Sequence, residues 1–151
     1  MVGNGGMNFS GKMGDITKLL EQMPKLETLE MDGYFELKKA VTFLNLKDLN
    51  ILSNSDTASW FEGSMPYDIS QQTLDNILLS KFPKLIKFEI GLDDESSFTF
   101  HQEFLDAKNL PSLKILNIEG GFAIGEEKKL LESSLAEVYQ IRGIVSKNVN
   151  S

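Results

Sequence analysis

Apolar and polar residues alternate in the same order in five short segments of the chain. The clearest is residues 110–120, LPSLKILNIEG, where Leu-x-x-Leu-x-Ile begins two residues after a proline. Residues 23–33 and 82–92 repeat this pattern with prolines of their own, residues 44–54 repeat it without a proline, and residues 134–143 are a weaker copy. The alternation at period two predicts a short strand in each segment, with the apolar side chains on one face.

This pattern, followed by a looser return, is typical of the leucine-rich repeat, in which each unit supplies one strand and a helix or irregular segment. One such strand cannot bury its apolar side, whereas five strands stacked in parallel form a continuous core. The sequence therefore predicts an α/β leucine-rich-repeat solenoid, with a curved parallel sheet on the concave side and helices and irregular returns on the convex side. The predicted core residues are Leu26, Leu29, Met31, Leu46, Leu49, Ile51, Leu85, Phe88, Ile90, Leu113, Leu116, Ile118, Tyr139 and Ile141.

The spacing of the copies supports this prediction with one exception. The intervals between their first apolar positions are 20, 39, 28 and 23 residues, and the usual period is about 20–29 residues. The long interval predicts an insertion at residues 53–68. We expect the repeat domain to span residues 14–145, after a Gly-rich flexible leader at residues 1–13 and before a polar tail at residues 146–151.

Four amphipathic helices are predicted in the returns, because apolar residues recur there at helical spacing. Asp15 and Ser70 precede the first two helices and are predicted N-caps. Residues 7–9 are a candidate for half a strand within the leader. The helical residues predicted to face the core are Ile16, Leu19, Leu20, Met23, Leu74, Ile77, Leu78, Phe104, Leu105, Leu130 and Leu131.

Composition excludes several classes of protein. Hydrophobic residues make up 41% and charged residues 25% of the chain, as in ordinary globular domains. The sequence contains no apolar run long enough to span a membrane and does not begin with a secretory signal. It has no cysteine, so disulfides and thiolate chemistry are excluded. A net charge of −7 disfavours binding to nucleic acid or to anionic membranes. We expect a cytoplasmic protein without a cofactor.

With these motifs the chain resembles a bacterial family of uncharacterised leucine-rich-repeat proteins with a ribonuclease-inhibitor-like solenoid. The resemblance rests on GDITKLLEQMPKLETLEMDG at residues 14–33, FPKLIKFEIGLDDES at residues 82–96 and LPSLKILNIEGG at residues 110–121, and it covers residues 14–143. It implies the fold but supplies no catalytic residues. Members of the family are typically longer and have a leading segment, so we expect the chain to be a shortened protein or a fragment.

The polar side of the predicted strands is the main candidate binding site. A solvated strand face without any function would also be polar, but solenoids bind their partners on the concave face. We therefore expect a protein partner that is basic or rich in amides. The central residues are Glu30, Asn50, Glu89, Asn117 and Gln140, and the flanking residues are Asp32, Asp48, Lys87, Glu119 and Arg142.

Two loops offer weaker candidates. Trp60, Phe61 and Tyr67 in the predicted insertion would either contact a partner or cover the neighbouring repeat. Residues 93–95, Asp-Asp-Glu, could bind a divalent cation through carboxylate oxygens. They lack the spacing of an EF-hand, however, so a solvated loop explains them as well.

Catalytic motifs are weak. Residues 6–13, GMNFSGKM, nearly match a phosphate-binding loop, but Met13 replaces the hydroxyl residue that would bind Mg²⁺. His101 is the single histidine, and no GxSxG motif is present. The sequence therefore favours a non-catalytic protein-binding module. The alternatives are a self-assembling scaffold that uses an uncapped terminal repeat and, with less support, a metal- or nucleotide-dependent enzyme.

Overall fold

A single parallel β-sheet runs through the molecule in the computed structural model, which describes residues 5–53, 69–92, 97–120 and 123–140. Its six strands lie side by side in the order of the sequence, and each pairs in parallel with the next. The strands are β1 (Gly6–Asp15), β2 (Thr28–Glu36), β3 (Asp48–Ser53), β4 (Lys87–Leu92), β5 (Ile115–Glu119) and β6 (Tyr139–Gln140). The helices in the described connections are α1 (Thr17–Glu21), α2 (Gln71–Leu78), α3 (Gln102–Leu105) and α4 (Glu126–Leu131).

The repeated segments lie at the same level across the sheet. Leu29 pairs with Leu49, and Leu49 pairs with Phe88. Phe88 in turn pairs with Leu116, and Leu116 pairs with Tyr139. The predicted placement of these residues as neighbours is therefore confirmed. Since a shift of one residue would move every apolar side chain to the other face, the apolar pattern is what holds the register.

The core fills the space between one face of the sheet and the connecting segments. Almost all of the predicted strand residues are buried there, although Leu113 is only half-buried and Ile141 lies outside the described residues. Phenylalanine rings run through the centre, and Phe82 and Phe88 lie with ring centroids 6.0 Å apart. From the helices, Leu20, Leu74, Ile77, Leu78, Phe104, Leu105 and Leu130 are buried in the same cluster.

Two helical residues that were predicted to face the core do not. Leu19 is 40% exposed and Leu131 is 53% exposed. Helix α1 has five residues and α4 has six, so each buries only one pair of residues, at spacing i, i+3 in α1 and i, i+4 in α4. In α4 that pair is Glu126 and Leu130. The buried Glu126 carboxylate accepts a hydrogen bond from the Phe100 N–H at 2.8 Å, and its other oxygen lies 2.9 Å from Lys129 Nζ.

The predicted flexible leader is wrong for residues 6–13, because they belong to strand β1. This strand pairs with β2 from Gly6 to Lys12. Its side chains Met7, Phe9 and Met13 are partly buried against the core. The candidate half-strand is therefore a full one, and the near match to a phosphate-binding loop does not form a loop. Residues 146–151, the predicted polar tail, lie outside the described part of the chain.

Ser70 is confirmed as the N-cap of α2, whereas the N-cap of α1 is Ile16 and the predicted Asp15 lies one residue before it. The Asp15 carboxylate accepts from the Thr17 hydroxyl at 2.7 Å and from the Thr17 N–H at 3.0 Å. These two bonds hold the pKa of Asp15 below its ordinary value of 3.8. Ser70 is the N-cap of α2, and its hydroxyl accepts from the Thr73 N–H at 3.0 Å.

Replacing Ser70 with alanine is expected to lower the free energy of unfolding by about 1 kcal/mol, the usual cost of losing a helix cap. Urea denaturation followed by circular dichroism measures this loss. Ser112→Ala is the matched control, because the exposed Ser112 hydroxyl donates to the Pro83 carbonyl at 3.0 Å outside any helix. A loss for Ser70→Ala no larger than for this control would contradict the capping role.

Candidate functional site

The face of the sheet opposite the core carries three rows of residues, one residue from each of the strands β1 to β5. Every second residue of β2, β4 and β5 is buried, and the residues between them point away from the core. We call the three rows together the polar sheet face. The lower row is Gly6, Thr28, Asp48, Lys87 and Ile115; the middle row is Asn8, Glu30, Asn50, Glu89 and Asn117; the upper row is Ser10, Asp32, Leu52, Gly91 and Glu119.

Amides and carboxylates alternate along the middle row. Asn8 Nδ2 donates to Glu30 Oε1 at 2.9 Å, and Asn117 Nδ2 donates to Glu89 Oε2 at 2.8 Å. Neighbouring strands are about 4.8 Å apart, so the alternation keeps Glu30 and Glu89 roughly 10 Å from each other, with Asn50 between them. Adjacent like charges would destabilise the sheet. The alternation therefore allows several carboxylates to share one face.

The polar sheet face is strongly acidic. Lys87 Nζ lies 3.8 Å from Glu89 Oε1, with the lysine side chain 41% exposed and the glutamate side chain 15% exposed. An ion pair that is this open to water contributes little. The described carboxylates of the three rows are Glu30, Asp32, Asp48, Glu89 and Glu119, against the single lysine. The face therefore attracts cationic groups.

An apolar centre interrupts the acidic upper row. Leu52 and Gly91 lie between Asp32 and Glu119, and Leu52 is 38% exposed. A Cβ atom at Gly91 would lie 2.9 Å from Leu52 Cδ1, so the leucine side chain leans over the glycine. A depression of about 130 Å³ opens here, lined by residues of the middle and upper rows. A second depression, of about 400 Å³, is lined by the lower and middle rows.

The structure brings together eight of the ten residues predicted for the concave face. Glu30, Asp32, Asp48, Asn50, Lys87, Glu89, Asn117 and Glu119 all lie on the polar sheet face. Gln140 is opposite Asn117 in β6, where the structure describes its backbone. Outside the described residues lie Arg142, the aromatic candidates Trp60, Phe61 and Tyr67, and the acidic residues 93–95.

Sequence reasoning missed Asn8 and Ser10, the contribution of β1 to this face. The signal was present, because Met7-Asn8-Phe9-Ser10-Gly11 has the same apolar–polar order as the segment from Leu29 to Gly33. The structure pairs these two segments residue by residue. Alignment of the two would have placed Asn8 beside Glu30.

His101, the single histidine, has a structural role. His101 is exposed and is the N-cap of α3, where its Nδ1 accepts from the Glu103 N–H at 3.3 Å. Among the described residues, no group of three histidine, cysteine, aspartate or glutamate side chains is placed to hold a metal ion. No helix in the described ranges is both long and apolar enough to cross a bilayer.

Comparisons of the chain with protein-family models, with curated proteins and with solved structures found no match. The family suggested by the sequence motifs therefore stays a prediction.

Proposed function

We propose that this chain is a leucine-rich-repeat solenoid that binds a protein partner, without catalysis, on its polar sheet face. The single observation that carries the proposal is the register of the strands. The strands follow one another in sequence order, and equivalent positions pair across the sheet. Stacked repeats produce this arrangement, because each unit adds one strand beside the last and contacts only its neighbours.

The chemistry of the face supports a partner that is basic and able to form hydrogen bonds with amides. Glu30, Glu89 and Glu119 offer carboxylate acceptors to lysine, arginine or backbone N–H donors. Within the described part of the chain Asn50 makes no side-chain hydrogen bond, so its amide is available to a ligand. The apolar centre at Leu52 and Gly91 is suited to the aliphatic stem of a long cationic side chain. This surface is consistent with a cytoplasmic, bacterial protein whose role is to bind another protein.

An enzyme has less support than a binding module. The Gly-rich segment that could have held a nucleotide phosphate is strand β1, and its backbone pairs with β2 instead of forming a cradle. The alternating carboxylates and amides of the middle row are suited to recognition along an extended surface. We therefore favour recognition as the role of this face.

Reversing the charge of Glu30, Glu89 and Glu119 with lysine is expected to reduce partner capture by at least about tenfold, since like charges brought together cost several kcal/mol. An affinity pulldown from the native cell, quantified by mass spectrometry, measures this loss. Capture by the unaltered chain should also weaken with added salt, because exposed charges are screened over about 10 Å.

The matched control reverses three exposed carboxylates outside the strands, Glu103, Glu132 and Glu137. It changes the net charge equally but leaves the polar sheet face intact. A second face variant replaces the three site glutamates with glutamine, and thermal unfolding checks that each variant is folded. If the face variants and the control variant capture the same partners as the unaltered chain, the proposal is wrong.

A further inference from the structure

Strand β1 is an open edge of the sheet. It stands at one end of the strand order, and within the described part of the chain it pairs only with β2. A strand in this position presents a row of backbone N–H and C=O groups that can accept another strand. It is also long, with ten residues, whereas the structure describes two residues of β6 at the opposite end.

The core is incompletely covered at this edge. Met7 pairs with Leu29 and Phe9 pairs with Met31. Leu29 and Met31 are 2% and 3% exposed, whereas Met7 and Phe9 are only partly buried. A depression of about 280 Å³ adjoins the edge and is lined in part by Met7, Met23 and Leu26. A further strand laid along β1 would therefore bury apolar surface as well as satisfy backbone hydrogen bonds.

The low charge of β1 favours the β1 strand of a second copy as its partner. Residues 5–14 contain one charged residue, Lys12, in a chain whose net charge is −7. Two copies of an acidic protein repel each other least where carboxylates are few. Residues 6–10 also lack the proline and charged residues that commonly protect an edge strand from pairing.

We propose that β1 pairs with the β1 strand of a second copy of this chain. A two-fold axis perpendicular to the strands makes the pairing antiparallel and the contact closed. Within β1 the first glycine with positive φ is Gly11, at +89°, so we take residues 6–10 as the segment that pairs with the second copy. The pleat requires core-facing side chains to meet core-facing side chains, so the axis passes through a residue position, and we place it within residues 8–10. Met7 and Phe9 of the two copies then pack together, while both polar sheet faces stay open.

Single-cysteine variants test this geometry, because the chain contains no cysteine of its own. Asn8→Cys and Ser10→Cys place a thiol near the axis, where opposite or diagonal neighbours lie about 5–8 Å from each other. Mild oxidation, or a short thiol cross-linker, is expected to give a covalent dimer on a non-reducing gel. Thr99→Cys is the control, since Thr99 is exposed and lies outside the sheet. Light scattering of the unaltered chain should give twice the 16.9 kDa monomer mass at high concentration.

A charge-swap pair separates a contact at the axis from a general loss of stability. Ser10→Glu and Ser10→Lys each bring like charges together and are expected to be monomeric, whereas an equal mixture of the two is expected to dimerise again. Three results would overturn the proposal: a monomer at the highest soluble concentration, a dimer whose Asn8→Cys and Ser10→Cys variants cross-link no faster than Thr99→Cys, or assemblies that keep growing by end-to-end stacking. None of these results bears on the polar sheet face, whose partner is tested separately.

Discussion

Replacing Gly33 with alanine is expected to lower the free energy of unfolding by about 3 kcal/mol or more. Gly33 has a φ of +130°, a conformation that costs residues with a side chain about 1–3 kcal/mol. A Cβ atom there would also overlap with the carbonyl oxygen of Gly11 on the neighbouring strand. Backbone atoms cannot rotate away as a side chain can, so β1 and β2 would have to separate locally. Urea denaturation of the purified variant measures the loss.

Gly91→Ala is the matched control for this prediction. Gly91 also lies in a strand, but its added Cβ would meet Leu52 Cδ1, the end of a flexible and partly exposed side chain. We expect a change within about 1 kcal/mol, because a small shift of the leucine relieves the contact. Equal losses for the two alanine variants would mean that the close approach of β1 and β2 at Gly33 is not what requires a glycine.

The sheet could be predicted from the sequence because two independent patterns agree. The period-two alternation assigns Leu49 and Ile51 to the core and Asn50 to the opposite face. Three of the copies have a proline at the same position, and aligning the copies on it places Leu29, Phe88 and Leu116 at the position that Leu49 has in its own copy. A parallel sheet with these neighbours is the arrangement in which every copy buries its apolar side, so the register followed from the pattern alone.

Strand β1 could be predicted only in part from its own sequence, which indicated half a strand at residues 7–9. It lacks the proline and the leucines that mark the other copies. It also contains several glycines, and glycine is depleted in strands. What makes it a strand is the free edge of β2, which supplies backbone partners to Gly6 and the residues after it. Tertiary contacts of this kind outweigh local propensity, and the sequence of the segment does not contain them.

The residues that β2 to β5 contribute to the polar sheet face were mostly predictable from the sequence, but the contacts between them were not. Period two places Glu30, Asn50 and Glu89 on one side without reference to any structure. The hydrogen bond from Asn117 to Glu89 and the apolar centre at Leu52 require the neighbouring strand to be known. The orientation of the short helices was not predictable either, since one turn of periodicity cannot decide which of two adjacent leucines is buried.

The core and the face are mechanically coupled, because in β2 to β5 each residue of the middle row lies between two buried residues of its own strand. Glu89, for example, stands between Phe88 and Ile90, which are 0% and 3% exposed. A substitution that loosens the core beneath β4 should therefore also disturb the polar face above it.

Phe88→Ala is expected to lower the free energy of unfolding by about 3–5 kcal/mol, because it removes a fully buried ring and leaves a cavity. Phe88 lies between Phe82, at 6.0 Å between ring centroids, and Phe104, at 6.5 Å in an edge-on contact. Ile86→Ala is the control, since Ile86 is 40% exposed and should lose about 1 kcal/mol or less. In the folded fraction of Phe88→Ala, the side-chain amide resonance of Asn117 is expected to shift, because the hydrogen bond to Glu89 depends on the position of β4. A loss for Phe88→Ala as small as for the control, with the Asn117 resonance unmoved, would show that the aromatic row does not fix the polar sheet face.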